Sequence, residues 1–240
     1  MTQQPLLDPS ASPATAEGTT TPAPSGSARQ IRRHRERSHP ERAALDAVLD
    51  SIPFGTLSTV VDARPWVVPM LFARQGDSII LHGSTGAGAL RHVAAGAPAS
   101  LCVIGLDGVV VAASTFHSSA NYRSAVVHGP LTPITDPDEK WSALNALSDR
   151  LIPGRTTEVR DMEPRELAAT LAMKMPIVTG EWTVKIRSGG VGDDARDEPA
   201  WQGVVPVRTV LDEPEPADWV DPAMPVPASV RTLLAEGWHR

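Results

Sequence analysis

The feature that most constrains this chain is residues 64–95, which read as strand, tight turn, strand, glycine-rich turn and helix. The strands are 64–74 and 78–82. Residues 83–88, Gly-Ser-Thr-Gly-Ala-Gly, lead into a helix that should begin near Ala89. Small residues between a strand and a helix expose backbone N–H groups at the positive end of the helix dipole. The pattern therefore predicts a site for an anionic phosphate group.

Alternating and β-branched segments predict further strands in the rest of the chain. They lie at residues 54–61, 99–106, 109–114, 123–134, 175–187 and 200–207. Apolar residues at helical spacing predict helices before Pro53, over residues 136–151 and from 163 onward. The Asp107-Gly108 pair between two apolar runs predicts a hairpin.

Short strands that follow one another with few helices between them favour an antiparallel barrel. The predicted fold class is mainly β with peripheral helices, with the barrel closed or partly open. A doubly wound parallel sheet would need strand–helix alternation throughout, which the sequence lacks. Pro65 and Pro69 inside the first strand of the glycine-rich stretch suggest a sheet edge, a bulge or an interruption that faces a ligand.

The two ends of the chain differ from the middle in composition. Residues 1–28 hold few large apolar side chains and should be disordered. We divide the chain into an N-terminal arm at 1–38, a folded domain at 39–208 and an acidic, proline-rich tail at 209–240. Six arginines within residues 29–42 could contact a nucleic acid or an acidic partner, form a solvated lead-in, or pair with the acidic tail.

Bulk properties exclude several classes of protein. The net charge of −6 argues against a general nucleic-acid binder. The single cysteine, Cys102, cannot form an intramolecular disulfide and reads as a small buried hydrophobe. No secretory signal and no apolar run of membrane-spanning length are evident, so we expect a cytoplasmic protein without a membrane partner.

Polar residues beside the predicted strands are the candidate site residues. Ser84 and Thr85 could satisfy phosphate oxygens, and Arg91 could add charge or lie on the surface. His82 could donate a proton or hydrogen-bond a cofactor, or could be a strand-end histidine without chemistry. A second cluster is costly to bury unpaired, so it forms either a pocket wall or a solvated loop. Its members are His117, Asn121, Tyr122, Arg123 and Ser124.

Two other kinds of site are disfavoured. The histidines are scattered and show no metal-ligand spacing with cysteines or paired carboxylates, so we predict no metal site. A Gly-x-Ser-x-Gly elbow is missing, which argues against a Ser/His/Asp hydrolase.

With these residues in place, the chain resembles the FMN-binding split-barrel superfamily. More narrowly, it is similar to pyridoxamine 5′-phosphate oxidase-like proteins of the nitroimidazole-resistance type. The resemblance covers about residues 36–208 and rests on four segments taken together. They are residues 65–74 (PWVVPMLFAR), 81–86 (LHGSTG), 116–124 (FHSSANYRS) and 199–206 (PAWQGVVP).

The resemblance implies a homodimer with two FMN sites at the subunit interface. It places the backbone of Val67, Val68, Pro69 and Met70 beside the flavin ring. It assigns the FMN phosphate to His82, Gly83, Ser84, Thr85 and the helix start. It lines the rest of the site with Asn121, Tyr122, Arg123, Ser124 and Trp201.

The implied activity is electron transfer from reduced flavin to a small organic acceptor, as in nitroreductase-type members. One feature departs from the family pattern: relatives often place Ser-Arg or lysine just after the glycine-rich turn, where this chain has Ala87-Gly88. Arg91 or Arg123 would then have to neutralise the phosphate. The superfamily also contains deazaflavin- and haem-binding members. The alternative function is a non-catalytic binding protein that acts as a sensor or docks a partner.

Overall fold

The structure is a computed structural model of the 240-residue chain, and it describes residues 31, 33–86, 88–193 and 198–238. The predicted disorder of residues 1–28 falls outside the described residues. Within these ranges the chain forms nine strands and five α-helices. The strands are β1 Phe54–Val61, β2 Arg64–Gln75, β3 Ser78–Ser84, β4 Pro98–Val111, β5 Ser119–Pro130, β6 Thr132–Pro133, β7 Thr170–Pro176, β8 Trp182–Arg187 and β9 Gly203–Pro206. The helices are α1 Arg42–Ser51, α2 Gly88–Ala94, α3 Pro137–Leu151, α4 Pro164–Ala169 and α5 Ala228–Glu236.

The strands form one antiparallel sheet in the order β6-β7-β3-β2-β1-β4-β5-β8, with β9 paired to β4. Strand β2 belongs to both halves of this sheet, because its first part pairs with β1 and its last part with β3. The sheet therefore curls into a split half-barrel with helices around it. The predicted fold class, mainly β with peripheral helices, is confirmed.

Alternate side chains of the strands fill the barrel. Leu57, Leu101 and Val127 lie opposite one another on β1, β4 and β5 and are fully buried. Helix α1 packs into the same core through its apolar face, whose members are Leu45, Val48 and Leu49. Burial of each such side chain contributes about 1.5–3 kcal/mol, so this cluster dominates the stability of the domain.

A smaller apolar cluster lies on the other face of β2, β3 and β7. There α3 buries Ala143, Leu144 and Leu147 against Ile80 and Ala172. Helix α3 begins where the sequence predicts, because the side chain of its N-cap residue, Asp136, accepts the backbone N–H of Glu139 at 2.8 Å.

The predicted hairpin at Asp107-Gly108 is wrong. Strand β4 runs unbroken from Pro98 to Val111, and the register against β5 shifts between Leu106 and Gly108 as a bulge. Gly108 is needed there because β9 packs against it: a Cβ would lie 3.1 Å from Val204 Cγ1. A glycine that admits a neighbouring strand gives the same local sequence signal as a turn.

The single long strand predicted over residues 175–187 is also wrong. The segment divides into β7, which pairs with β3, and β8, which pairs with β5. The break follows Pro176 and includes Gly180 at a φ of 87°, a value that favours glycine. Strand β7 also begins earlier than predicted, at Thr170, directly after α4.

Both ends of the described chain are attached to the barrel. Ser38 forms a bridge with Lys185 on β8, and the backbone N–H of His39 donates to Val184 O at 3.2 Å. In the tail, Ser229 of α5 donates to the Glu158 carboxylate, and Trp238 Nε1 donates to Leu151 O at 3.0 Å. The three-part division of the chain stays a prediction.

Candidate functional site

The first part of β2 has a free edge. Its residues 64–71 pair with β1 on one side, whereas β3 pairs only with residues 72–75 on the other. Because the described chain places no strand beside that edge, its alternate backbone groups are open to a ligand. We call this side of residues 64–71 the open edge.

The hairpin between β1 and β2 determines which groups point outward. Its two turn residues, Asp62 and Ala63, have φ of 48° and 57°, which is the two-residue type I′ geometry. Hydrogen-bonded pairs then alternate from the turn onward, and residues at the other positions direct their backbone to the open edge. Those positions are 65, 67, 69 and 71.

Two of the four positions on the open edge are prolines. Pro65 and Pro69 have no N–H to present there, so both fit without losing a ladder hydrogen bond. The predicted edge or ligand-facing interruption at these prolines is therefore confirmed as an edge. The remaining groups include the N–H of Val67 and the carbonyls of Pro65, Val67 and Pro69. Val67 and Pro69 also expose their side chains, whereas Val68 and Met70 pack against the barrel core.

The glycine-rich turn lies at the end of β3. Ser84, Thr85 and Gly86 are exposed, and Ser84 Oγ accepts the N–H of Gly86 at 3.1 Å. Gly83 has a packing role of its own, since a Cβ there would lie 2.1 Å from Leu90 Cδ1. Arg91 is exposed on α2. The turn therefore presents the hydroxyls of Ser84 and Thr85 at an accessible corner. The missing Cβ of Gly83 leaves room for the core residue Leu90.

His82 lies on the face of β3 that is turned away from the barrel interior. It shares that face with Ile80 and with its cross-strand partner Ala172, both of which belong to the cluster under α3. Its Nδ1 atom is buried and has no hydrogen-bond partner. Burial lowers the pKa of His82 below its ordinary value of 6.5, so the imidazole is neutral at neutral pH.

The residues from Asn121 to Ser124 do not form one wall. They alternate along β5, so Arg123 points to the inner side while Tyr122 and Ser124 point to the outer side. Asn121 is buried, and its Nδ2 donates to Gly189 O at 2.9 Å. Trp201 is exposed just before β9, with its ring close to Gly203.

Arg123 lines a cavity of about 660 Å³ at the bulged part of β4. Its guanidinium pairs with the Asp107 carboxylate, and its Nε donates to Ser51 Oγ at 3.1 Å. Arg208 and Trp238 line the same cavity. Sequence reasoning missed Asp107 as the partner of Arg123, because the Asp-Gly pair had the signature of a turn.

Two further properties limit what the described residues can do. No group of three or more His, Cys, Asp or Glu side chains in this part of the chain is placed to hold a metal ion. None of the helices found in the described ranges is long and apolar enough to cross a bilayer.

Comparison with known proteins connects this geometry to a family. The pattern of the pyridoxamine 5′-phosphate oxidase family matches residues 41–182. The chain is similar to the FAD and haem binding protein from Mycobacterium smegmatis, at 44% identity and a TM-score of 0.79, over 81% of this chain and 96% of that one. It is also similar to flavocytochrome Anf3 from Azotobacter vinelandii, at 28% identity and a TM-score of 0.79, over 85% of this chain and 95% of that one.

A protein from Bacteroides thetaiotaomicron that is named for 5-nitroimidazole antibiotic resistance has the same fold. The two share 18% identity and a TM-score of 0.52, over 62% of this chain and 86% of that one. None of the curated proteins compared with the chain matches it. The family pattern spans more than half of the chain, and the M. smegmatis protein matches beyond it. The chain belongs to the pyridoxamine 5′-phosphate oxidase family.

Proposed function

We propose that this protein is a flavin-binding oxidoreductase, which passes electrons from reduced flavin to a small organic acceptor. The observation that carries the proposal is the open edge of β2, where the N–H of Val67 lies between two prolines. The rim of a flavin ring bears both hydrogen-bond donors and acceptors, and unpaired strand backbone offers the complementary groups. When bound, the flavin supplies the redox chemistry, and the protein supplies binding and electrostatics.

The predicted residues of β2, of the glycine-rich turn and of α2 have different parts in this proposal. Val67 and Pro69 border the ring, while Val68 and Met70 fix β2 against the core. Ser84 and Thr85 bind a phosphate of the flavin through their exposed hydroxyls, and Arg91 adds positive charge from α2. His82 is neutral and half-buried, with its Nδ1 enclosed, so we assign it a positioning role behind the phosphate corner rather than a proton transfer.

FMN is the form of flavin that the family resemblance implies, and the name of one relative modifies this expectation. The M. smegmatis protein is named as a FAD and haem binding protein, and it is 44% identical to this chain. We therefore propose a flavin whose phosphate occupies the Ser84–Thr85 corner, with FAD favoured over FMN. We also propose haem as a second bound group. Deazaflavin remains an outcome that the test below distinguishes.

We further propose that two copies of the chain form a homodimer through the outer face of the barrel. This face carries exposed apolar side chains on neighbouring strands, among them Val60, Val67, Ile104 and Leu106. Apolar patches of this kind on a folded domain mark interaction sites. Since Val67 belongs to both the outer face and the open edge, a second copy packed there would also enclose the flavin site. With its one cysteine unpaired, the protein suits the cytoplasm, where we propose that it acts.

The proposal is tested by changing one backbone N–H. Val67→Pro removes the only N–H that faces the open edge between Pro65 and Pro69, at a position where proline costs no ladder hydrogen bond. Val67→Ala keeps the N–H and shortens the side chain, so the pair separates the backbone contact from the side-chain contact. We expect the purified proline variant to lose most of its flavin absorbance and the alanine variant to lose much less.

Mass analysis of the released cofactor distinguishes FAD, FMN and deazaflavin. Circular dichroism checks that both variants fold. If a folded Val67→Pro protein binds flavin as tightly as the unaltered protein, the open edge is not the flavin site. If the unaltered protein takes up no flavin on titration, the oxidoreductase proposal is wrong.

A further inference from the structure

A cavity of about 360 Å³ lies at the end of β8, and three arginines contribute to its wall. Among its lining residues are Arg33, Arg37, Arg187, Phe116 and His117. We call it the basic cavity. Among the described residues that line it, none carries a carboxylate, so the cavity favours an anionic ligand. Its volume lies within the roughly 300–1,000 Å³ range of small-molecule sites.

The chemistry of the lining indicates which kind of anion fits the basic cavity. Apart from Phe116, the described residues that line it are charged, polar or glycine, which suits a small hydrophilic ligand. Guanidinium groups bind phosphate oxygens through paired N–H groups. An exposed aromatic ring beside arginines adds a surface on which a base can stack. Phosphate binding and base stacking together match a nucleotide.

Arg187 is held in place before any ligand arrives. Its Nη1 donates to Asn121 Oδ1, and Nδ2 of the same amide donates to Gly189 O at 2.9 Å. Asn121 is only 9% exposed, so a buried side chain fastens both the guanidinium and the segment after β8 to β5. Because the amide is neutral, Arg187 keeps its full charge for an anion. A guanidinium that is already positioned lowers the entropy cost of binding.

The turn before β5 presents the aromatic part of the basic cavity. Ser118 Oγ accepts the backbone N–H of Ala112 at 3.1 Å and donates to Ser114 O at 3.0 Å. Ser114 Oγ accepts the backbone N–H of His117 at 3.3 Å and lies 2.9 Å from His117 Nδ1. These bonds fix the turn that carries Phe116. The phenyl ring is 85% exposed and meets the His117 ring edge-on at 5.1 Å, so its face is available for stacking.

The N-terminal segment supplies the other two arginines of the basic cavity. A bridge from Ser38 to β8 fixes this segment along the strand. Arg37 Nε lies 3.5 Å from Glu36 Oε1, and the same carboxylate oxygen lies 3.0 Å from His34 Nδ1. Glu36 therefore offsets part of the positive charge, and the exposed Arg33 adds to it. Three guanidinium groups in one small cavity leave an excess of positive charge for a phosphate.

The basic cavity and the open edge lie at different places in the sheet. The strand order puts β2, β1, β4, β5 and β8 side by side, so Arg187 on β8 is four strands away from Val67 on β2. At ~4.8 Å between neighbouring strands, the path across the sheet is about 19 Å. A ligand in the basic cavity therefore leaves the open edge of the same chain free.

We propose that the basic cavity binds a nucleotide, at a site separate from that of the flavin. Arg33, Arg37 and Arg187 bind the phosphate oxygens, and the base stacks on Phe116. The inference goes beyond the proposed function and does not depend on it, because none of these residues belongs to the open edge or to the glycine-rich turn.

The test is calorimetric titration of the purified full-length protein, with any flavin that it carries, with ADP, pyrophosphate and adenosine. We expect ADP to bind most tightly, pyrophosphate more weakly, and adenosine not measurably at the same concentrations. Arg37→Gln and Arg187→Gln should each weaken ADP and pyrophosphate by about 10-fold, because each removes charge-assisted hydrogen bonds. Arg160→Gln is the matched control, since that guanidinium pairs with Glu166 at an exposed site.

Two further variants separate a built site from a basic surface. Phe116→Ala should weaken ADP by about 5-fold or more and leave pyrophosphate unchanged, because only ADP has a base to stack. Arg187→Lys keeps the charge but loses the planar pair of donors, so it should weaken ADP nearly as much as Arg187→Gln. Circular dichroism checks that each variant is folded.

Four outcomes would overturn the assignment. They are no binding of ADP or pyrophosphate, equal weakening by Arg160→Gln, full ADP affinity in Phe116→Ala, and full ADP affinity in Arg187→Lys. Flavin absorbance recorded during the titration keeps the two proposals apart. Release of flavin by ADP would assign the basic cavity to the flavin site instead. A protein that binds ADP but takes up no flavin contradicts only the oxidoreductase proposal.

Discussion

The two faces of the sheet formed by β1, β2, β4 and β5 differ in how far one chain covers them. On the inner face, Leu57 and Leu101 are completely buried. On the outer face, Val67 is 57% exposed and Ile104 is 66% exposed. The inner face is thus complete within one chain, whereas the outer face is apolar surface left for a ligand or a second copy. Buried residues of the inner face therefore stabilise the fold, whereas exposed residues of the outer face are available for binding.

The largest expected effect comes from truncating the inner face. Leu101→Ala should lower the free energy of unfolding by about 2–5 kcal/mol, because it leaves a cavity among fully buried neighbours. Ile104→Ala on the outer face is the control and should change it by less than about 0.5 kcal/mol in the monomer. Urea unfolding at low protein concentration measures both. Equal losses of unfolding free energy in the two variants would mean that Ile104 is packed as closely as Leu101 and that the two faces do not differ in burial.

Substitution of Gly83 tests whether the packing of the inner face extends to the glycine-rich turn. Gly83→Ala places a Cβ 2.1 Å from Leu90 Cδ1 and should cost about 1–3 kcal/mol of unfolding free energy. Gly86→Ala meets only Ser84 Oγ at 3.4 Å and should cost little.

Adding Leu90→Ala to Gly83→Ala should recover part of the loss relative to the sum of the single changes, because the two residues share one space. Strict additivity in this double-mutant cycle would show that Gly83 is not a packing residue. Loss of flavin without loss of stability would assign it to the cofactor instead.

The inner face was the part of the fold most accessible from sequence. Period-two alternation predicts a strand and its buried side, and it identified β1, β2 and β3 close to their observed bounds. It failed at Asp107-Gly108 and at residues 175–187, where the decisive neighbour comes from elsewhere in the chain. Strand β9 arrives about 95 residues after Gly108 and turns an expected hairpin into a bulge. Local sequence carries no signal for such a partner.

The candidate site, like the fold, was predictable from the sequence only in part. Two prolines indicated the open edge, because proline within a strand is largely confined to sheet edges and bulges. The polar run from Asn121 to Ser124 gave no indication of its division between two faces, although alternation along a strand implies it. The cavity lined by Arg33, Arg37 and Arg187 stayed hidden because these arginines come from segments about 150 residues apart in the chain, and residues 29–42 alone resemble a solvated basic lead-in.

The outer face is tested by placing a charge on it. Ile104→Glu should weaken the proposed homodimer by at least about 10-fold, because a carboxylate must lose its hydration to enter an apolar contact. Sedimentation velocity across a concentration series measures the dissociation constant. Val159→Glu, at an exposed apolar residue beyond α3, is the matched control. If Ile104→Glu leaves the association unchanged, the second copy does not pack on this face, and flavin content then shows whether the open edge works in a single chain.

The smallest expected effect concerns His82, which lies on the side of β3 that is turned away from the barrel interior, next to the cluster under α3. Its pKa in the folded protein is lowered by burial, so between that value and 6.5 the unfolded chain binds more protons than the folded one. Stability should therefore fall as the pH drops below 6.5, since protonation favours the unfolded state. His82→Gln should flatten this part of the profile. Thermal melts between neutral and mildly acidic pH measure the slope. A slope unchanged by His82→Gln would mean that the imidazole has the same pKa in the folded and unfolded protein, so that burial does not keep it neutral. A steeper fall in the variant would mean that a partner holds the imidazole charged, and it would then count as part of the phosphate site beside Ser84 rather than as support behind it.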